Sequence, residues 1–139
     1  MNPAYSTLDT PAGPFTVLAS DDAVLASGWT STVDGLLPLV HASLRPAATP
    51  RSLADLGEIS KAVLAYLDGD LTAPQAVPVR QRGGEFLTAA WDVLRDVPPG
   101  QPVTYTEYAA LAGRPAAVRA AAQACARNAA APYVPCHRV

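Results

Sequence analysis

Residues 104–128, TYTEYAALAGRPAAVRAAAQACARN, decide how this chain is organised. Thr104 followed three residues later by Glu107 is a capping box: a hydroxyl and a carboxylate placed to satisfy the first free N–H groups of a helix. The spacing predicts a short helix ending at Leu111 or Ala112. Gly113 closes it in a left-handed turn. Pro115 suits the first position of a second helix running to about Arg127. Two short helices joined by a tight turn containing glycine form a helix-turn-helix; a plain helical hairpin has the same outline. The second helix favours the former. Seven of its residues are alanine (116, 117, 120, 121, 122, 124 and 126), and its larger side chains are few. A helix made for core packing carries more Leu or Ile. An alanine-rich surface instead approaches another backbone closely. Arg119 and Gln123, four apart, project from one face, and Arg119 suits phosphate contact or insertion into a base stack. Asn128 suits a left-handed C-terminal cap, and its amide would equally brace the loop that follows.

That loop ends in Pro132-Tyr133-Val134-Pro135-Cys136-His137-Arg138-Val139, a thiol directly before an imidazole. A cysteine is a strong nucleophile only as its thiolate, a form that cationic or basic neighbours favour. Pro135 biases Val134 toward an extended conformation, so the chain turns sharply at Cys136. Read alone, the pair is also compatible with a small buried hydrophobe beside a chance histidine.

Working back toward the N-terminus, Gly83-Gly84 precedes a helix from Glu85 to about Asp96. Its apolar stripe is Phe86, Leu87, Ala90, Trp91 and Leu94, a core face. Pro98-Pro99-Gly100 then breaks the chain. Residues 3–9 and 14–20 read as strands joined by the Thr10-Pro11-Ala12-Gly13 turn. Asp21-Asp22 turns the chain into a third strand, from Ala23 to Trp29. Val33 to Leu44 suggests a helix interrupted by Pro38, and Pro46 to Pro50 a loop. Ser52 is expected to cap a helix with Asp55 in its first turn. Its buried face would be Leu56, Ile59, Val63, Tyr66 and Leu67, and Gly69 would end it. Thr72 to Val79 reads as an extended linker.

Half the 139 residues are apolar and 16% are charged, the composition of a globular protein. No apolar run is long enough to span a membrane, and the N-terminus lacks a signal-peptide pattern. The two cysteines, eleven residues apart, match no zinc spacing and make no disulfide framework, so reduced thiols in the cytoplasm are the expectation. The net charge of −2 hides an asymmetry. Residues 1–79 hold three bases against eight acids, whereas residues 80–139 hold seven arginines against four acids. Arginine pairs bidentately with phosphate, so the second part is the candidate for facing a polyanion.

Together, Tyr105, Arg119, Asn128 and the Pro135-Cys136-His137-Arg138-Val139 motif resemble the O6-alkylguanine-DNA alkyltransferases, the methylated-DNA–protein-cysteine methyltransferases. The resemblance extends back through Phe86 and Trp91 and more weakly to the Thr10–Pro14 hairpin. It implies an α/β (α+β) protein. Residues 1–79 would form a ribonuclease-H-like domain, a small sheet with helices. Residues 80–139 would form a helical, winged-helix-like domain with the helix-turn-helix.

The resemblance also implies roles. Cys136 would accept the alkyl group and His137 would draw off its proton through a water. Tyr105 would support the flipped guanine and neutralise it as it leaves. Arg119 would fill the gap in the duplex, and Asn128 would hold the turn to the active site. Tyr105, Thr106, Arg114, Arg119 and Gln123 would meet the DNA, in its minor groove. The reaction would consume the protein in one turnover, without cofactor or metal. The partner would be duplex DNA carrying O6-alkylguanine, with O4-alkylthymine a second substrate, and the protein a monomer.

Members of that family continue some tens of residues past the motif, supplying a glycine-rich loop, a final helix and a glutamate that polarises the histidine. This sequence stops at Val139, and none of its acids can be assigned that role. The expectation is therefore slow transfer or none. The alternative is a protein that binds alkylated DNA without repairing it. A third reading, a Cys-His hydrolase of unrelated type, lacks an oxyanion-hole motif.

Overall fold

In a computed structural model, which describes residues 2–139, a small sheet packs against a group of short helices. Strands β1 (Ala4–Thr10), β2 (Gly13–Ser20) and β3 (Ala23–Gly28) form an antiparallel meander, with a two-residue strand β4 (Arg51–Ser52) beside β1. The order across the sheet is β3-β2-β1-β4. Asp21 and Asp22 both adopt positive φ (51° and 64°), as a tight two-residue hairpin turn with the twist of its strands requires.

Central β2 is buried on both faces, and its period-two alternation divides the core. Phe15, Val17 and Ala19 point to the larger cluster, and Leu18 to a smaller one with Leu25, Leu36, Val40 and Ala129. The larger cluster draws on residues from both sides of position 79: Ile59 and Val63 from α1 (Glu58–Leu67), Trp91 and Leu94 from α2 (Glu85–Asp96), Tyr108 from α3 (Tyr105–Leu111), and Ala121 and Ala124 from α4 (Val118–Ala126). Buried polar tips find partners there. Trp91 Nε1 donates to the Ala124 carbonyl (2.8 Å), Tyr108 Oη to Ala90 (2.7 Å) and Tyr133 Oη to Ile59 (2.8 Å). These bonds tie α2 to α4, α3 to α2, and the cysteine loop to α1, and they offset the loss of water at the buried indole N–H and the two phenol hydroxyls.

The capping box forms as the sequence predicts. Glu107 N donates to Thr104 Oγ1 (3.1 Å), and Thr104 N to Glu107 Oε1 (3.0 Å), which holds the Glu107 carboxyl below its usual pKa. Gly113 takes φ 97°, closing α3 where an L-residue with Cβ would be strained.

Four local expectations change. Ser52 does not cap a helix: Arg51 and Ser52 pair in parallel with Ala4 and Tyr5, and Ser6 Oγ holds the Ala54 carbonyl (3.1 Å). The sheet edge keeps this stretch extended, and α1 starts only after Gly57, whose φ of 65° turns the chain away. Residues 33–44 contain two 3₁₀ turns, Val33–Gly35 and Leu37–Leu39, in place of an interrupted helix. Residues 72–79 are docked rather than a linker. They form a 3₁₀ turn, Ala73–Ala76, Arg95 Nη2 donates to the carbonyls of Gln75 and Val77, and Val79 bridges to Val24. Helix α4 starts at Val118, because Arg114–Ala117 forms a turn closed by Ala117 N to Arg114 O (2.9 Å). After α4 the chain runs in turns to Val139, and among the described residues no strand follows α4 to form a wing.

Candidate active site

Cys136, His137 and Arg138 form a single 3₁₀ turn entered from buried Pro135. The loop leading to it is pinned at each step. Ser27 N donates to Ala129 O (2.7 Å) and Ser27 Oγ to Ala131 O (2.6 Å), so strand β3 carries one side. Asn128 carries the other: its Nδ2 donates to Val134 O (2.7 Å), and its Oδ1 accepts from Ala130 N (3.1 Å) and Gln81 Nε2 (2.9 Å). Asn128 is not in the left-handed conformation of a helix cap; of its two expected uses, the brace is the one formed. Cys136 N donates to Val134 O (2.9 Å), so the carbonyl that Asn128 holds also fixes the cysteine backbone.

Arg138 serves the fold rather than standing free beside the thiol. Its buried guanidinium donates to Val97 O (2.8 Å) and Leu71 O (2.8 Å), and its own carbonyl accepts from Val103 N (3.0 Å). The turn is thereby stitched to the end of α2 and to the approach to α3.

Cys136 and His137 line one pocket of about 350 Å³ with Phe15, Trp29, Tyr66 and Pro132. The His137 Nε2 lies 3.3 Å from the Tyr66 hydroxyl, with the two rings edge to face. Burial, and next the charge of Arg138, hold the imidazole below its ordinary pKa. It is therefore neutral at pH 7 and able to take a proton. Cys125, on α4 and packed against the main core, does not line this pocket. Burial, aided by Cys136 nearby, pushes its thiol up to about 11, which keeps it protonated.

The remaining expected residues lie elsewhere. Tyr105 and Thr106, in the first turn of α3, are exposed, as are Arg114 in the turn and Arg119 and Gln123 on α4. They share the α3–turn–α4 surface and are not part of the wall of the Cys136 pocket. Ser27, Gln81 and Tyr66 were not anticipated as site residues. Each acts through a partner 47 to 104 residues away in the chain, a distance across which no local pattern signals contact. Among the described residues no group of three or more His, Cys, Asp or Glu comes together.

Residues 85–139 match the family model for the 6-O-methylguanine DNA methyltransferase DNA-binding domain. A methylated-DNA–protein-cysteine methyltransferase of Mycobacterium bovis is 36% identical over 138 residues, covering 97% of this chain and 76% of that relative. A crystal structure of a variant of the Mycobacterium tuberculosis O6-methylguanine methyltransferase superposes with a TM-score of 0.77 at 30% identity, covering 99% of this chain and 78% of that one. The Mycobacterium tuberculosis protein solved in complex with DNA gives 0.73 at 27% identity, covering 98% and 77%. With its cysteine turn, its helix pair and a relative that matches 97% of its residues, the chain belongs to the methylated-DNA–protein-cysteine methyltransferase family.

Proposed function

We propose that the chain repairs DNA by direct reversal, moving an alkyl group from the O6 of guanine, and from the O4 of thymine, irreversibly onto Cys136. The observation that carries this reading is the pocket shared by Cys136 and His137, at the end of a loop braced by Asn128 and Ser27. The cysteine proton passes to His137, through a water. The sulfur then forms a bond to the alkyl carbon while the carbon–oxygen bond breaks. That bonding pair goes to the guanine, which takes up a proton as it leaves. The products are S-alkylcysteine and unmodified guanine. No cofactor enters the balance, and a thioether does not return its alkyl group to water, so each chain acts once.

The alkylated base is stacked inside a duplex and must be turned out, at a cost of a few kcal/mol. In this reading residues 80–139 meet DNA and accept the group, and residues 1–79 support them. Arg119, exposed and without a side-chain partner among the described residues, fills the vacated stack. Tyr105 supports the turned-out base and supplies the proton, and Thr106, Arg114 and Gln123 contact the backbone or groove. The protein acts as a monomer in the cytoplasm; no helix among the described residues is long and apolar enough to cross a membrane.

The test is stoichiometry. Incubated with excess duplex carrying O6-methylguanine, the protein should remove methyl groups up to one per chain and stop, losing one free thiol. Continued turnover would contradict the reading. Tight binding with no thiol lost would favour a protein that recognises alkylated DNA without repairing it.

A further inference from the structure

Helix α4 leads into a cleft that the repair chemistry does not use. Arg119, Gln123 and Arg127 are spaced at i, i+4 and i+8, and all are exposed, so they form one stripe along the outer face of α4. After Glu107 the chain contains no acid, and this stripe therefore carries only positive charge. At its C-terminal end lies a cleft of about 570 Å³ whose wall includes Arg127, Arg80, Arg82 and His41.

The backbone that carries Arg80 and Arg82 is held in place. Gln81, between Arg80 and Arg82, donates from Nε2 to Asn128 Oδ1 (2.9 Å) and accepts at Oε1 from Ala129 N (2.9 Å). The segment carrying Arg82 is thus clamped to the residues directly after Arg127. Arg82 is further oriented by Nη1 donating to Ser43 Oγ (2.9 Å), which leaves its other N–H groups free. Arg80 is partly compensated by Asp21 at 3.6 Å. Arg127 has no side-chain partner among the described residues. A concave site with two available guanidinium groups, neither in an ion pair among the described residues, fits a phosphodiester, which arginine binds as a fork.

We propose that Arg82 and Arg127 form an anchor for backbone phosphates of the duplex, lying beyond the base-flipping residues. The proposal rests on reading α4 as the DNA-facing helix. Arg119 and Arg127 are separated by about 12 Å along the helix axis, which, with α4 laid along the groove, spans three to four nucleotide steps at about 3.4 Å each. The anchor therefore grips the strand about that far from the damaged base, to one side of it. A duplex that ends short of this point offers it nothing to hold.

The experiment measures duplex affinity against salt for the unmodified chain, for Arg82→Gln, Arg127→Gln and the double variant, and for Arg82→Lys and Arg127→Lys. Methyl transfer by the unmodified chain is followed on the same duplexes. Three duplexes are used: O6-methylguanine central, and within about three base pairs of either end. Each glutamine change should reduce the slope of log affinity against log salt by about 0.9 on the central duplex, and the pair by about 1.8. The lysine variants should keep the slope. The loss should vanish on one of the two end-placed duplexes and persist on the other. An unchanged slope in the double variant would overturn the anchor. So would an equal loss on all three duplexes, or a loss in the lysine variants as large as in the glutamine ones. Transfer by the unmodified chain alongside any of these results leaves the repair reading standing. Absence of transfer and of duplex binding by the unmodified chain sinks that reading, and the anchor with it.

Discussion

Replacing Asn128 by alanine removes the brace of the cysteine turn, and its cost follows from the bonds it makes. Three are lost: Nδ2 to Val134 O, and Oδ1 from Ala130 N and from Gln81 Nε2. Val134 and Ala130 are 2% and 0% exposed, so their orphaned groups gain little from solvent. Gln81 is only half-buried and recovers part of its loss from water. At about 1 kcal/mol per bond, and more for an orphaned buried group, the change should cost about 3 kcal/mol. For a chain of this length that corresponds to a fall of about 9 °C in melting temperature.

The kinetic effect should be larger than stability alone accounts for, because the Val134 carbonyl also receives Cys136 N. Freed at that carbonyl, the thiol loses its alignment with the alkyl carbon, and the single-turnover rate should fall at least about tenfold at a temperature where the variant stays folded. Ser27→Ala loses one bond to the same loop, at Ala131, and should cost about 1 kcal/mol. The assay pairs thermal unfolding with rapid-quench transfer for both variants. A fall of less than about 2 °C for Asn128→Ala, or an unchanged rate, would show that the amide bonds do not hold the cysteine in place.

Arg119→Ala should slow transfer from duplex DNA far more than from free O6-methylguanine; equal losses on the two would mean damage to the pocket rather than to base flipping. The His137 imidazole has its pKa lowered from 6.5 by burial and by Arg138. The ring therefore stays neutral as pH falls through 6.5, and the acid limb of the transfer rate should lie below that value; a midpoint at or above it would count against His137 as the base. Gly83→Ala should destabilise by about 1–3 kcal/mol, since a Cβ there would meet Leu87 Cδ1 at 2.8 Å and Leu87 Cβ at 3.0 Å; denaturant unfolding reads this directly, and no loss would mean that the Leu87 side chain yields freely.

What the sequence made legible was local. The meander, α2 and the capping box at Thr104 each rest on signals within a few residues: alternation, a helical stripe, a hydroxyl and a carboxylate three apart. The motif at Cys136 was readable for the same reason. What remained hidden was decided by partners distant in the chain. Ser52 has the chemistry of a cap, but β1 offers it a strand to pair with, and tertiary pairing outweighs the local preference. Pro115 suits a first helical turn, yet the turn at Arg114–Ala117 delays α4 to Val118. Tyr66 has the spacing of a core residue on α1, and its hydroxyl reaches His137 only because the last turn of α1 lies beside the cysteine turn. Arg138 follows the Cys-His pair directly, yet its guanidinium is taken by two carbonyls far away in the chain.

The central claim, that Cys136 and no other group accepts the alkyl, is tested most directly by mass spectrometry of the protein after exposure to a duplex containing O6-methylguanine. The intact mass should rise by one methyl group, and peptide mapping should place it on Cys136. Cys125, with its thiol pushed up to about 11, should remain unmodified. A methyl group on Cys125, or an unchanged mass while the duplex loses its methyl, would contradict the account.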